Sequence, residues 1–178
     1  YVLEPDTFDR IPKDQPWSIE RSFFPSLIER GETFLAYVYR GYWIDIGTPA
    51  KYMQVHRDVM DGRYQAAPFA NAPSTAWVSP GARIDDSAVV EGPCFIDEGV
   101  VVKAGARIGP YSVIGRQCHI EEHALIEHSI VWANTRISQE AIVRRSILGR
   151  HCHIGRSALV EDGVVLGDKS VVTDYSRL

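Results

Sequence analysis

The segment GYWIDIGTPAKY, residues 41–52, contains a carboxylate that is well placed for chemistry, Asp45. In an extended strand its side chain points away from Ile44 and Ile46, and Gly47 beside it leaves room for a ligand to approach the backbone. A carboxylate at a strand end can hold Mg²⁺ against a phosphate, because Mg²⁺ takes few protein ligands. Alternatively, Asp45 only accepts hydrogen bonds from backbone amides at the turn into the next helix. The residues alone leave both interpretations open.

Two strands and a helix are predicted around this carboxylate. Residues 33–40 alternate as a strand, and residues 42–46 form a second strand after Gly41. Thr48 is predicted to cap a helix with Pro49 at its first position, and this helix ends at Gly62. Its apolar stripe consists of Tyr52, Val55 and Val59.

A shorter helix is predicted earlier in the chain, over residues 24–30. Ser22 or Ser18 could cap it, because a serine oxygen can accept a hydrogen bond from a free amide of the first turn. Gly31 is expected to stop this helix.

The second half of the chain has a sequence period of six. An aliphatic residue recurs at every sixth position from Val78 to Ile126 and, after an interruption at residues 129–139, from Ile142 to Val172. A small or modest residue follows most of these aliphatic residues four places later. We interpret the interruption as an insertion or an offset coil.

A six-residue repeat is the signature of a parallel β-helix, in which each coil needs its neighbours to bury its inner face. Three hexads make one triangular coil, so the repeats predict roughly five coils. The pattern resembles the left-handed β-helix of hexapeptide-repeat proteins, and the handedness comes from that resemblance. The prediction is therefore a mainly β protein with a left-handed parallel β-helix at residues 77–178, after a partial α/β segment at 1–62 and a linker at 63–76.

The cysteines and most of the histidines also fall within the repeats. All three cysteines, Cys94, Cys118 and Cys152, take the small inward position, where a thiol packs as a compact hydrophobe. Their odd number and the lack of a CxxC pair argue against a disulfide framework or a zinc site. His151 and His153 flank an inward residue and could hold a metal, but the simpler interpretation is solvated histidines at turns.

Composition narrows the possible functions. The 178 residues are 45% hydrophobic and 24% charged, and the formal net charge is −4. No basic cluster indicates binding to nucleic acid or to an anionic membrane surface. The first residues lack the order of a secretory signal, so we expect a cytoplasmic protein. The chain begins without methionine, in the middle of a strand-like pattern, and we expect it to be a fragment.

Three segments, YVLEP, WSIERSFFPSLIERG and GYWIDIGTPAKY, precede a helix and hexapeptide repeats. This order resembles the C-terminal half of a sugar-phosphate nucleotidyltransferase, in particular of the mannose-1-phosphate guanylyltransferases. The resemblance implies that Asp45 helps to bind Mg²⁺ as the cofactor, and that the substrates are a nucleoside triphosphate and a sugar 1-phosphate. It also implies GTP and mannose 1-phosphate as the pair. For Glu20 it suggests a recurrent position without an assigned role.

Several parts of the family pattern have no counterpart in residues 1–178. These are the glycine-rich nucleotide loop, a first metal-binding aspartate and a Glu-Lys-Pro sugar-binding segment. In the intact family enzyme, an oxygen of the sugar 1-phosphate attacks the α-phosphorus of the nucleotide and expels pyrophosphate. The resemblance implies that residues 1–62 are the C-terminal remnant of that catalytic domain, and that this chain alone has no turnover.

Two other functions remain open. A hexapeptide-repeat acyltransferase could use His119 or His123 as general base on an acyl-CoA, but this leaves residues 1–62 unexplained. A non-catalytic regulatory or scaffold subunit is the second alternative. In either case we expect a homo-oligomer that assembles through the β-helix, since its end coils expose backbone and Tyr111 and Trp132 lie off the repeat register.

Overall fold

Short parallel strands in three sheets make up most of the computed structural model, which describes residues 1–178. The first sheet contains β1 (Ala76–Val78), β4 (Cys94–Ile96), β7 (Ser112–Ile114), β10 (Ile130–Val131), β13 (Ile147–Leu148) and β16 (Val165–Leu166). The second contains β2 (Arg83–Ile84), β5 (Val101–Val102), β8 (His119–Ile120), β11 (Arg136–Ile137), β14 (His153–Ile154) and β17 (Val171–Val172). The third contains β3 (Val89–Val90), β6 (Arg107–Ile108), β9 (Leu125–Glu127), β12 (Ile142–Arg144) and β15 (Leu159–Val160). Each strand pairs with the strand three elements later, so the chain forms about five coils of a left-handed β-helix and confirms the predicted fold.

The interruption of the repeat proves to be a shortening, not an insertion. Val78 pairs with Ile96, 18 residues later, whereas Ile114 pairs with Val131, only 17 residues later. One residue is missing from the corner after Ile126. The residue at this corner, His128, has a positive φ of 50°. The coil therefore continues without an offset.

A second shortened corner corrects the predicted register. Val143, not Ile142, points into the core, since Val143 is fully buried and Ile142 is half-buried. The next inward residue is Leu148, five positions later, and the intervening Arg145 has a φ of 46°. Counting in sixes therefore put residue 142 one position out of register, while the residues from Leu148 onward are placed correctly.

Stacked aliphatic side chains fill the inside of the β-helix. The fully buried members include Ile96, Ile108, Ile114, Ile120, Ile126, Ile137, Leu148 and Ile154. All three cysteines are buried in the predicted inward positions. Each large aliphatic side chain removed from water contributes about 1.5–3 kcal/mol, so the column of repeats supplies most of the driving force for this part of the chain.

The corners between strands need glycine for two different reasons. Gly99 has a φ of 68°, a left-handed conformation that favours glycine. Gly155 lies against the next coil, where an added Cβ would be 2.5 Å from the backbone nitrogen of Asp174. Most left-handed corner positions carry other residues, so the glycines chiefly allow the coils to approach each other closely.

Residues 1–41 form a separate compact unit. It contains the helix α1 (Phe24–Glu29), which continues from a π-helical turn, Ile19–Phe23. Of the two predicted caps the structure uses Ser18, whose side chain accepts a hydrogen bond from the Arg21 amide at 3.1 Å. The unit also has a 3₁₀ turn, Pro5–Arg10, and a small core of Phe23, Phe24 and Leu27.

The two strands predicted between residues 33 and 46 do not form. Residues 33–40 and 42–46 hydrogen-bond to no neighbouring strand. A strand becomes a sheet only where a second strand accepts and donates its backbone hydrogen bonds. Within residues 1–178 no such partner is present, and Leu35 remains 85% exposed.

The second compact unit, residues 42–178, contains the predicted helix α2 (Pro49–Met60) as well as the β-helix. The Thr48 hydroxyl accepts a hydrogen bond from the Lys51 amide at 3.2 Å, which confirms the predicted cap. The helix gives way to Asp61 and to Gly62, which has a φ of 76°. None of the helices in the chain is long and apolar enough to cross a bilayer.

The predicted linker is partly ordered against the rest of this unit. Within residues 63–76, the 3₁₀ turn Phe69–Asn71 buries the Phe69 ring. The β-helix begins at Ala76, one residue earlier than predicted. The division between compact units follows Gly41, whereas the sequence placed a boundary in the linker. The assignment of residues 1–62 to a catalytic domain stays a prediction.

Candidate functional site

Asp45 lies in the extended segment immediately before α2 and is exposed. Tyr42 and Ile44 are half-buried while Trp43 is 77% exposed, so the segment keeps the predicted alternation of faces as far as Asp45. Both carboxylate oxygens of Asp45 lie 3.8 Å from the point where a side chain would begin on Gly47. The Asp45 carboxylate therefore lies beside a backbone position that carries no side chain, and it is accessible to a ligand.

The turn into α2 does not use Asp45. Thr48 caps the helix, and no hydrogen bond to the Asp45 carboxylate is found among residues 1–178. The turn therefore offers no support for Asp45 as an acceptor for backbone amides. Its oxygens are free to bind a ligand or water.

A metal ion at Asp45 would need further ligands from elsewhere. Residues 1–178 contain no group of three or more His, Cys, Asp or Glu side chains that could hold a metal. Mg²⁺ is usually bound by one or two carboxylates together with phosphate oxygens and waters. A lone exposed carboxylate beside a glycine fits one position of such a set. Asp45 can thus supply one ligand to a Mg²⁺ ion whose other ligands come from elsewhere, but residues 1–178 do not form a complete Mg²⁺ site.

A buried carboxylate that the sequence analysis missed lies close to this segment. Asp58 of α2 is only 5% exposed. It accepts hydrogen bonds from the Tyr42 hydroxyl at 2.8 Å, from Gln54 Nε2 at 2.8 Å and from Arg63 Nη1 at 3.2 Å. The spacing of Gln54 and Asp58, four residues apart on a helix, was the one local signal for this cluster.

Helix α2 lies against the outer surface of the first sheet of the β-helix. A pocket of about 190 Å³ between them is lined by His56, Met60, Phe69, Phe95 and Val113, among others. Burial lowers the pKa of His56, because the charged imidazolium loses its hydration there. The predicted stripe of Tyr52, Val55 and Val59 is half-buried, and the fully buried residues of α2 are Asp58 and Met60.

The two aromatic residues outside the repeat register contact α2 and Asp61, the residue at its C-terminal end. The Tyr111 hydroxyl donates to Asp61 Oδ1 at 3.0 Å, and this bond raises the pKa of Tyr111. The Trp132 ring stacks on Tyr52 with centroids 6.4 Å apart. Both rings thus have partners within the chain, so their position outside the register does not by itself indicate an interface between copies.

The histidines of the β-helix remain on its surface. His119 and His153 occupy the same outward position of the second sheet, with Arg136 paired between them. His123 and His151 sit at corners with φ of 59° and 56° and are exposed. Their positions at corners and outward strand sites agree with the solvated interpretation.

The cysteines are unsuited to chemistry. Burial raises the pKa of Cys94 and of Cys118 to about 11, and it also raises the pKa of Cys152. A protonated, inaccessible thiol is a poor nucleophile and a poor metal ligand. Glu20, in contrast, is a surface residue, and its carboxylate accepts a hydrogen bond from the Tyr1 hydroxyl at 3.2 Å.

Half of the chain matches a single protein family. Residues 90–178 fit the family model described as the GMPPB C-terminal domain. The chain belongs to this family. The matched residues begin at the last residue of β3 and contain every later strand of the β-helix, so the GMPPB C-terminal domain corresponds here to most of the β-helix.

Curated relatives of this GMPPB-type chain are much longer proteins. A probable mannose-1-phosphate guanylyltransferase 1 of Oryza sativa subsp. japonica is 34% identical over 142 residues, which cover 76% of this chain and 38% of the relative. A UTP–glucose-1-phosphate uridylyltransferase of Synechocystis sp. is 28% identical over 144 residues, covering 79% of this chain and 37% of the relative. The chain therefore spans about two fifths of the length of these relatives.

A solved structure of different function shares the β-helix. The acetyltransferase domain of PglB from Neisseria gonorrhoeae matches 73% of this chain and 67% of its own length, with a TM-score of 0.58 and 16% identity. At that identity the likeness is one of fold. It gives no support to His119 or His123 as catalytic bases in the GMPPB-type chain.

Proposed function

We propose that this chain is the C-terminal part of an enzyme that transfers a nucleotidyl group from a nucleoside triphosphate to a sugar 1-phosphate. The observation that carries the proposal is the extent of the sequence match. The Oryza relative matches 76% of the chain, which is about 135 residues, whereas the β-helix from Ala76 to Leu178 has 103. About 30 or more matched residues must therefore precede the β-helix. The acetyltransferase domain covers a similar share of the chain, but at 16% identity against 34% for the Oryza relative.

The proposed substrates are GTP and mannose 1-phosphate. Guanylyltransferases acting on mannose 1-phosphate occur among the relatives, and the matched family model is the GMPPB C-terminal domain. The products would be GDP-mannose and pyrophosphate. The Synechocystis relative, a uridylyltransferase acting on glucose 1-phosphate, makes UTP with glucose 1-phosphate the pair to test against it.

Asp45 is the proposed contribution of this chain to the reaction. Its exposed, unbonded carboxylate beside Gly47 would hold one face of a Mg²⁺ ion. When bound, Mg²⁺ neutralises the charge that develops on the phosphate oxygens. By holding the ion in place, Asp45 would orient the phosphates that bind to it. The remaining ligands of the ion would come from outside residues 1–178. On this proposal the chain alone has no turnover.

The β-helix is proposed to serve assembly. Its end coils leave backbone groups unpaired, and covering them with a second copy would satisfy those groups. The proposed protein is thus a homo-oligomer, located in the cytoplasm, where nucleoside triphosphates and sugar phosphates are available. Sedimentation of the full-length protein tests this separately from activity.

The proposal is tested by following pyrophosphate release from the full-length protein. The assay is run with GTP and mannose 1-phosphate and with UTP and glucose 1-phosphate, with Mg²⁺ present or chelated. We expect Mg²⁺-dependent turnover, and a loss of about 100-fold or more in the Asp45→Ala variant because a metal ligand is removed. Asp86→Ala, which removes an exposed carboxylate of the β-helix, is the matched control and retains full turnover.

The outcomes separate the competing functions. Turnover that is unchanged in Asp45→Ala would remove Asp45 from the metal site while leaving the nucleotidyltransferase function in place. No pyrophosphate release with any pair would favour a regulatory or scaffold subunit. Free CoA released from acetyl-CoA in a parallel assay would favour an acyltransferase.

A further inference from the structure

The segment that carries Asp45 is extended but has no neighbouring strand to hold it. Residues 42–46 make no backbone ladder within residues 1–178. A metal ligand must nevertheless be held to within about 0.5 Å of its productive position if it is to act. Some other contact must therefore limit the freedom of Asp45.

The hydrogen bond between Tyr42 and Asp58 is such a contact. The Tyr42 hydroxyl, three residues before Asp45, donates to Asp58 Oδ2 at 2.8 Å. Burial and this bond raise the pKa of Tyr42, so the hydroxyl keeps its proton and remains a donor. The Tyr42 ring also contacts Tyr64, with centroids 5.3 Å apart. The start of the segment is thus attached to α2 at one defined point.

Asp58 is a rigid anchor for this bond. Its other oxygen accepts hydrogen bonds from Gln54 and Arg63, so the buried charge is paired and its rotamer is held on two sides. Helix α2 is in turn fixed to the β-helix by the bond from Tyr111 to Asp61 and by the stacking of Tyr52 on Trp132. A continuous set of contacts therefore runs from the β-helix to the residues beside Asp45.

We propose that the Tyr42–Asp58 pair positions Asp45 for metal binding, and that the β-helix supports this position through its contacts with α2. Tyr42 and Asp58 are positioning residues that act through Asp45 and do not touch the substrate themselves. This inference rests on the proposed function, since it requires Asp45 to bind the ion. It extends that function by giving Asp58, a buried carboxylate that does not bind the ion, an effect on catalysis through Asp45.

The test is Tyr42→Phe in the full-length protein, because this change removes one hydroxyl and little else. We expect the affinity for the ion to fall about tenfold, the lower end of the effect of outer-shell partners of metal ligands. Binding of Mn²⁺ as the probe, in the presence of GTP, is followed by electron paramagnetic resonance, together with the Mg²⁺ concentration that gives half-maximal turnover. Tyr64→Phe is the matched control, since the Tyr64 hydroxyl makes no side-chain hydrogen bond and its ring packs against the ring of Tyr42.

A double variant distinguishes positioning from folding. If Tyr42 acts through Asp45, then Tyr42→Phe has no further effect on Mn²⁺ binding once Asp45→Asn is present. A lower melting temperature in Tyr42→Phe with unchanged Mn²⁺ affinity would show a merely structural role and overturn the inference. Unchanged Mn²⁺ binding in Asp45→Asn would instead overturn the metal-binding part of the proposed function, and the two failures are therefore distinguishable.

Discussion

The β-helix and the extended segment at residues 33–46 have similar strand-forming sequences and opposite outcomes. Both are rich in β-branched, aliphatic and aromatic residues. In the β-helix every short strand pairs with at least one neighbour and Ile120 is fully buried. In the extended segment no strand pairs, and Leu35 and Tyr37 remain more than four-fifths exposed.

The difference shows that a strand-like sequence forms a strand only where a neighbouring strand is available to pair with it. The β-helix supplies its own partners, because each coil repeats the last and lies directly on it. The segment at residues 33–46 repeats nothing else in the chain. Its aromatic and aliphatic side chains therefore stay exposed.

The largest expected contrast comes from truncating one aliphatic side chain in each region. Ile120→Ala leaves a cavity inside the stacked core, and we expect the free energy of unfolding to fall by about 2–5 kcal/mol. Leu35→Ala removes an exposed side chain and should change it by less than about 0.5 kcal/mol. Urea unfolding followed by circular dichroism of the strands measures both. Equal effects from the two variants would contradict this account of where the stability lies.

A smaller contrast separates a coil that has a neighbour above it from one that has none. In Gly155→Ala the new methyl group would lie 2.5 Å from the Asp174 amide nitrogen, so the coils must move apart. We expect a loss of about 1–3 kcal/mol in the free energy of unfolding.

Gly167→Ala is the matched control for this change. Gly167 lies in the last coil, and an added Cβ there meets nothing within 4 Å. Its replacement should be neutral or slightly stabilising, by up to about 1 kcal/mol, since alanine restricts the unfolded chain. Thermal melts of the two variants beside the parent would reveal the difference. A loss of stability in Gly167→Ala as large as in Gly155→Ala would show that the contact between coils is not the cause.

The sequence predicted the β-helix well because its signal is local and repeated. Aliphatic residues at a period of six identified the inward positions from Ile84 to Ile126, and the cysteines followed from the same count. The count placed Ile142 wrongly because a corner can lose one residue without disturbing the strands on either side. Such a shortening changes the register but not the composition, and only the pairing of strands reveals it.

The candidate site was predictable in part. Asp45 and the Thr48 cap lie in one short segment, whose type and spacing are visible in the sequence. Asp58 was missed because its importance comes from Tyr42, which is 16 residues away, and from the burial of α2 on the first sheet. Contacts of that kind depend on tertiary packing, which no local pattern specifies.

The smallest expected effect concerns the pocket where α2 covers the first sheet. Burial lowers the pKa of His56, so on acidification the unfolded chain binds a proton at this residue at a higher pH than the folded chain does. The contribution of a neutral His56 to stability is therefore present above the usual histidine pKa, about 6.5, and is lost as the pH falls below it. In His56→Gln the free energy of unfolding should fall less between pH 7.5 and pH 5.5 than in the parent, as measured by urea titrations at both values. His123→Gln removes an exposed histidine and is the control, and an equal change in both variants would mean that the covered pocket does not set this pH dependence.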